Sequence, residues 1–261
     1  MRNGRLGFLV AGVQKAGTTA LFSYLARHPD LSSPRKKEIH FFDNESNLNW
    51  ARPDYHRLHQ FFLAPKGDER IAFEATPISI FWPNALERIA AYNPDMRFIL
   101  IFRDPIKRAW SHWRMETSRG RDNVPFEYAV REGRRRLSEV AINHPARRTF
   151  SYVERGFYGK QICNLFRIFD RENVLLLRSD DLRREPIATL ASIASFLRVG
   201  PFTFGDEIAG AIGHQDHAQP DDTDVDYLRG LYREDIELFT KVSKLKVDDW
   251  LTSGTQDGAL S

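Results

Sequence analysis

The sequence predicts an α/β fold, a P-loop-like three-layer fold with a central parallel sheet flanked by helices. Three observations carry this. Apolar runs at 6–12, 70–76, 97–104 and 173–179 read as strands buried on both faces, since they lack the polar alternation of a half-wet strand. Segments with helical spacing separate them, the order that builds a parallel sheet. The first run also ends in a glycine turn, "GVQKAGTT" (12–19), which leads into a helix.

In chain order, "LGFLVAG" (6–12) is the first strand, and "TTALFSYLARH" (18–28) is a helix with Thr18 placed to cap it and Pro29 closing it. "RIAFEAT" (70–76) is the second strand. "PNALERIAAY" (83–92) is a helix with proline in its first turn and Pro94 just past its end. "RFILIFRD" (97–104) is the most strand-like run, and a helix from about 106 to 118 follows it. Tyr158, Ile162, Leu165, Phe166 and Phe169 share one helical face. "NVLLLRS" (173–179) is the last strand, and Ile187, Leu190, Ile193, Ala194 and Leu197 line the helix after it. Residues 200–224, rich in Gly, Pro and Asp, read as a long loop and a possible lid, with a final amphipathic helix near 225–242. With no repeat and no low-complexity linker, 1–261 reads as a single domain.

A chain of 261 residues buries enough surface to need no staples, and its one cysteine, Cys163, excludes an internal disulfide and a cysteine-based zinc cluster. A net charge of +3 favours anionic ligands but carries no nucleic-acid signature of the RRM or KH type. No signal peptide and no run near the roughly 20 apolar residues of a bilayer span is present, so the expectation is a cytoplasmic protein without membrane insertion.

Gly12 and Gly17 have the glycine spacing of an ATPase phosphate loop, yet the lysine, Lys15, lies inside the loop and threonines follow Gly17. A strand, a glycine turn and a helix N-terminus make an anion site, because the first helical N–H groups lack internal partners and carry the positive end of the dipole. Ala16, Gly17, Thr18 and Thr19 would offer those N–H groups. The bland alternative is a turn with a surface lysine. In "FRDPIKRAWSHW" (102–113), Arg103 ends the strongest strand, where open α/β sheets bind ligands, and Ser111 lies two helical turns on. Both suit phosphate oxygens; alternatively Arg103 pairs with Asp104 and Ser111 is an ordinary helix residue. In "KKEIHFFD" (36–43), Glu38 and His40 point the same way if the segment is extended, and either could be a general base. Otherwise Phe41 and Phe42 are core and the polar residues solvated.

These stretches resemble the PAPS-dependent sulfotransferases, which use 3′-phosphoadenosine 5′-phosphosulfate (PAPS) and release 3′-phosphoadenosine 5′-phosphate (PAP). The family's QKxGTT loop and RxPxxRAxS stretch appear as "QKAGTT" (14–19) and "RDPIKRAWS" (103–111). "KEIHFFD" and "FEATP" are similar to segments of the heparan-sulfate type, the glucosaminyl N- and 3-O-sulfotransferases, as are "GFYGKQICNLFRIF", "LLLRSDDLRREP" and "IASFLRVG". The resemblance runs over about residues 6–250.

It implies a phosphosulfate loop of Lys15, Ala16, Gly17, Thr18, Thr19 and Ala20, and a 3′-phosphate clamp of Arg103 and Ser111, with Tyr158 near the nucleotide. Glu38 would be the base, His40 an acceptor contact or helper, and Glu74 a wall of the acceptor site; Lys15 would assist the leaving phosphate. No metal is required. The acceptor would be a small molecule or glycan, most simply a carbohydrate or glycolipid hydroxyl or amine. The chain departs from the heparan-sulfate type at Ala75, where a lysine is frequent, and in "AIGHQDHAQPDD" (211–222), where a cysteine pair and a basic run are usual. His214 or His217 could substitute there; "HQDH" (214–217) could also suggest a metal. The arginine-rich 131–148 is an exposed basic segment or a rim for a polyanionic acceptor. Two rival readings stand beside this one: an ATP- and Mg-dependent small-molecule kinase with Asp104 as metal carboxylate, and a non-catalytic polyanion-binding protein.

Overall fold

A computed structural model describes residues 4–46, 48–62, 70–203 and 219–252. Its elements run β1 (Phe8–Gly12), α1 (Thr18–Ala26), β2 (Leu31–Ser32), α2 (His56–His59), β3 (Ile71–Glu74), α3 (Ala85–Tyr92), β4 (Arg97–Phe102), α4 (Pro105–Ser118) and α5 (Phe126–Val130). Then come α6 (Arg135–Ser138), α7 (Ala146–Phe150), α8 (Tyr158–Ile168), β5 (Val174–Arg178), α9 (Ser179–Arg184), α10 (Pro186–Leu197) and α11 (Asp222–Ser243).

The strands form one sheet in the order β2-β3-β1-β4-β5, every neighbouring pair parallel. All four predicted strands are present. The fifth, β2, is only two residues long, too short for any periodicity to show. Every residue of β1 and β3 is buried, which is why these runs read as unbroken apolar sequence. Along β4, Phe98 and Phe102 share a face, and that face is covered by aromatic rings: Phe169 lies 4.6 Å from Phe98, and Tyr158 and Phe239 lie 5.1 and 4.8 Å from Phe102. These rings bring α8 and α11 onto the sheet. They meet closely because residue 159 is glycine, where an added Cβ would lie 2.7 Å from the Asp235 carbonyl oxygen.

Because β1 is central, with β2 and β3 laid down on one side of it before the chain crosses to β4 on the other, the C-terminal edge beside β1 is the sheet's switch point, where such sheets bind ligands. The loops after β1, β3 and β4 open there, so 13–17, 75–76 and 103–104 meet although up to 90 residues separate them.

Several local expectations are corrected. Thr18 does not cap α1; Gly17 does, at φ 92°, and Thr18 is buried as the first helical residue. Pro83 lies outside α3, whose cap is Asn84. Ile187 is exposed, because α10 presents its other apolar positions to the sheet and leaves its first turn in solvent. The predicted loop 200–224 ends early: Asp221 caps α11, which starts at Asp222. Of that loop and its suggested lid, residues 204–218, with His214 and His217, lie outside the described residues.

Candidate active site

On the donor side, Lys15 sits in a positive-φ conformation (φ 72°) inside the turn between β1 and α1. Gly17 then enters the left-handed region, where an L side chain is strained, and nothing lies within 4 Å of a Cβ built on it. No side chain caps α1. The Ala16 N–H turns back to the Val13 carbonyl at 3.3 Å, so Ala16 closes the loop instead of offering a donor. Thr19 is exposed at the helix start and Ala20 is half-buried behind it. The result is an open hollow over an uncapped helix N-terminus, a shape and polarity that fit a phosphate.

Charge around this hollow is one-sided. Burial, and then the charges of Arg119 and Arg103, push the Lys15 amine below its ordinary pKa, against a smaller pull from Glu116 and Glu38. Burial likewise lowers Arg103. Two desolvated cations short of a counter-charge are a site for an anion, whose binding would reverse both shifts. Arg103 Nη1 donates to the Lys15 carbonyl at 3.2 Å, joining the ends of β4 and β1. Tyr158 is fully buried and its hydroxyl donates to the Arg103 carbonyl at 2.9 Å, so it supports Arg103 from beneath. Ser111 is half-buried on α4, about 9 Å of helix rise beyond the N-terminus. Asp104 is spent on structure: its carboxylate accepts from the Ile106 and Lys107 N–H groups as the α4 cap.

Opposite, residues 36–43 are not extended. Glu38 and His40 both have positive φ, 61° and 57°. The turns are pinned to the end of β3: the Glu38 N–H bonds to the Ala75 carbonyl, the Ile39 N–H to Glu74 Oε1, and the His40 N–H to Thr76 Oγ1. Glu38 and His40 still converge, for a reason other than strand alternation. His40 Nε2 lies 3.7 Å from Glu38 Oε2, and Lys37 Nζ lies 2.6 Å from Glu38 Oε1. Behind them, His40 Nδ1 donates to Asp43 Oδ2 at 2.7 Å, which fixes the ring and raises its pKa. Burial alone would raise Asp43, but the His40 hydrogen bond and the charges of His40 and Arg148 outweigh it and hold the carboxyl low.

Glu74 is buried beneath this turn. Desolvation pushes its pKa up to about 7, against hydrogen bonds from Thr76 and the Ile39 N–H. It therefore braces the turn that carries Glu38 from below, through the Ile39 N–H, and is too buried to wall an acceptor site directly. The charge of Glu38 raises the Lys15 pKa slightly, so the carboxylate lies within electrostatic reach of the donor loop.

The structure adds residues that the sequence did not reveal. Arg148 grips Asp43 through two bonds of 2.6 Å, to Oδ2 and to the backbone carbonyl. Arg155 is buried, binds Gln14 Oε1 in the donor loop, and also donates to Ser151 Oγ at 2.7 Å and the Arg148 carbonyl at 2.8 Å. Burial and the nearby Arg108 and Arg148 push Arg155 down to about 9. Asp43 lies within the sequence segment already singled out, three residues from His40. Both arginines are more than 100 residues from the segments they hold; Arg148 ends the basic stretch 131–148 and Arg155 lies seven residues past it, where no local pattern marks it. That stretch is corrected too: Arg131, Arg134 and Arg136 are paired with Asp224, Glu154 and Asp122 at 2.8 to 3.1 Å, so much of its charge is neutralised within the fold.

Residues 7–215 match the family model described as "Sulfotransferase domain". The chain is 29% identical over 192 residues to human heparan sulfate glucosamine 3-O-sulfotransferase 3B1, covering 72% of this chain and 45% of that protein. To the membrane-associated sulfotransferase kil1 of Dictyostelium discoideum it is 29% identical over 126 residues, 47% of this chain and 26% of that one. The chain thus spans about half the length, or less, of these curated relatives. Among solved structures, a sulfotransferase from Alicyclobacillus acidocaldarius superposes with a TM-score of 0.78 at 21% identity, covering 95% of this chain and 99% of that one. The sulfotransferase domain of the Synechococcus PCC 7002 olefin synthase gives 0.56 at 18% identity, covering 93% and 95%. These two structures establish the shared fold.

Proposed function

The chain belongs to the sulfotransferase domain family, and from that premise we propose that it transfers a sulfuryl group from PAPS to a hydroxyl or amine, with Glu38 as base. The observation that carries this is the pair of desolvated cations Lys15 and Arg103 beside the α1 N-terminus, with Glu38 within electrostatic reach of Lys15. The likeness to proteins named as heparan sulfate 3-O-sulfotransferases supports a glycan acceptor.

In this reading Lys15 and the N–H groups of Gly17, Thr18 and Thr19 hold the 5′-phosphate from which the sulfuryl group departs. Arg103 and Ser111 take the 3′-phosphate, and Tyr158 fixes Arg103. Glu38 removes the acceptor proton as the acceptor oxygen or nitrogen bonds to sulfur. The sulfur–oxygen bond to the phosphate breaks, and Lys15 stabilises the charge left on that oxygen. His40, fixed by Asp43, orients Glu38 and the acceptor. Positioning and charge stabilisation carry such a transfer, with no metal in a required role. The described residues form one sulfotransferase domain around the single sheet. No described helix is long and apolar enough to cross a membrane.

The test is thermal melting with PAP and, separately, with ATP plus Mg²⁺. Ligand at about 100 times its Kd stabilises by roughly 2.7 kcal/mol, which at this size is several degrees. A shift with PAP and none with ATP is expected. The reverse would make the protein a kinase and leave Glu38 without this role.

A further inference from the structure

Arg155 has no role in the transfer steps above, yet it is a buried charge, 3% exposed, that touches the donor loop. Among the described residues its side chain donates to neutral oxygens alone. Nε bonds to Ser151 Oγ at 2.7 Å, Nη2 to the Arg147 and Arg148 carbonyls at 3.2 and 2.8 Å, and Nη1 to Gln14 Oε1. Burying a guanidinium without a paired carboxylate is costly, and the charges of Arg108 and Arg148 add to the cost. What the planar fork gains is geometry, because one rigid group joins Gln14 to the 147–151 segment. The fork is itself anchored. Phe81 covers its face with a ring centroid 5.3 Å away, and Arg148, whose carbonyl it holds, grips Asp43.

A guanidinium has donors and no acceptor, so Gln14 must turn its carboxamide oxygen toward Arg155. The Gln14 NH2 is thereby directed elsewhere, one residue before Lys15 and without a partner among the described residues. The Ala16 N–H is turned back to Val13, so the loop has one anion donor fewer than its length offers. We propose that Arg155 is a positioning residue that holds Gln14 as a further ligand of the donor's 5′-phosphate; this rests on the sulfuryl-transfer reading above. The Gln14 NH2 takes the place of the missing Ala16 donor. Its orientation is set before the ligand arrives, because Ser151, two backbone carbonyls and Phe81 fix Arg155 from the other side. A donor fixed in advance loses little side-chain freedom on binding, which is what a supporting residue contributes.

The experiment measures PAP affinity by titration calorimetry, and melting temperature without ligand, on the full chain and its variants. Gln14→Ala and Arg155→Lys should each weaken PAP by about tenfold, the second because lysine keeps the charge but not the fork. The double variant should bind within about twofold of the weaker single one, since Arg155 acts through Gln14. Gln14→Glu gives Arg155 a counter-charge and replaces the presented NH2 by an oxygen. Its melting temperature should rise while its PAP affinity falls by about a hundredfold. A purely structural tie would instead make affinity follow stability. Unchanged PAP binding in Gln14→Ala, or losses that multiply in the double variant, overturns this inference alone. A parent chain that does not bind PAP takes down the sulfuryl-transfer reading with it.

Discussion

Glu38 holds its half-exposed carboxylate between Lys37 Nζ at 2.6 Å and His40 Nε2 at 3.7 Å. Glu38→Gln keeps the size and removes the basicity, so transfer should fall by about 10²- to 10⁴-fold while PAP binding changes little. A rate within a few-fold of the parent in a quench assay would move the base elsewhere. Lys15→Ala should weaken PAP binding and abolish turnover together, since in the proposed reading Lys15 would touch both the bound phosphate and the leaving oxygen; near-normal turnover would remove it from the site. Glu74 makes a prediction of a different kind. Its folded pKa of about 7 lies above the ordinary 4.5 because it is buried. Below the unfolded pKa both states are protonated and burial carries no ionic penalty. As pH rises through this window the unfolded chain loses its proton first and stability falls, by up to about 3 kcal/mol at roughly 1.4 kcal/mol per unit. Urea melts from pH 4.5 to 7.5 should show this decline in the parent and a flatter profile in Glu74→Gln; equal slopes would mean that Glu74 titrates normally.

Element ends show how distant residues set local structure. Helix α8 has no side-chain cap of its own; instead Asp235, from the middle of α11, accepts from the Gly159 and Lys160 N–H groups at 2.8 and 3.1 Å. Asp235→Ala should lower stability by about 1–2 kcal/mol in chemical denaturation, the cost of a lost helix cap. An unchanged midpoint would mean that solvent satisfies those groups equally well. The apolar face of α8 was legible because 3.6-residue spacing is a local property. Its cap was not, because it comes from 75 residues further along the chain. Residues 36–43 show the same limit. The pair Glu38 and His40 was readable, but the backbone that joins them was not, since two left-handed residues are held there by hydrogen bonds from β3 and the residues just beyond it.

For the molecule as a whole, one five-stranded sheet brings the loops after β1, β3 and β4 together at its C-terminal edge, and the 36–43 turns are pinned beside them. Thermal unfolding followed by tryptophan fluorescence and by circular dichroism should therefore give one coincident transition. Two separable transitions would divide the chain into independent domains. The sequence by itself determined the parallel sheet and the glycine-bearing turn at Lys15 to Thr19, and it singled out Arg103, Glu38 and His40, whose roles belong to the proposal. Each is written in a short run whose spacing and residue types act locally, through strand burial, glycine conformation or side-chain chemistry. Tertiary structure alone decided that Tyr158 supports Arg103, that Arg155 ties Gln14 to the segment gripping Asp43, and that the arginine-rich stretch is largely neutralised. Burial, pairing and desolvation depend on which distant segments the sheet brings together, and no single window of sequence contains that information.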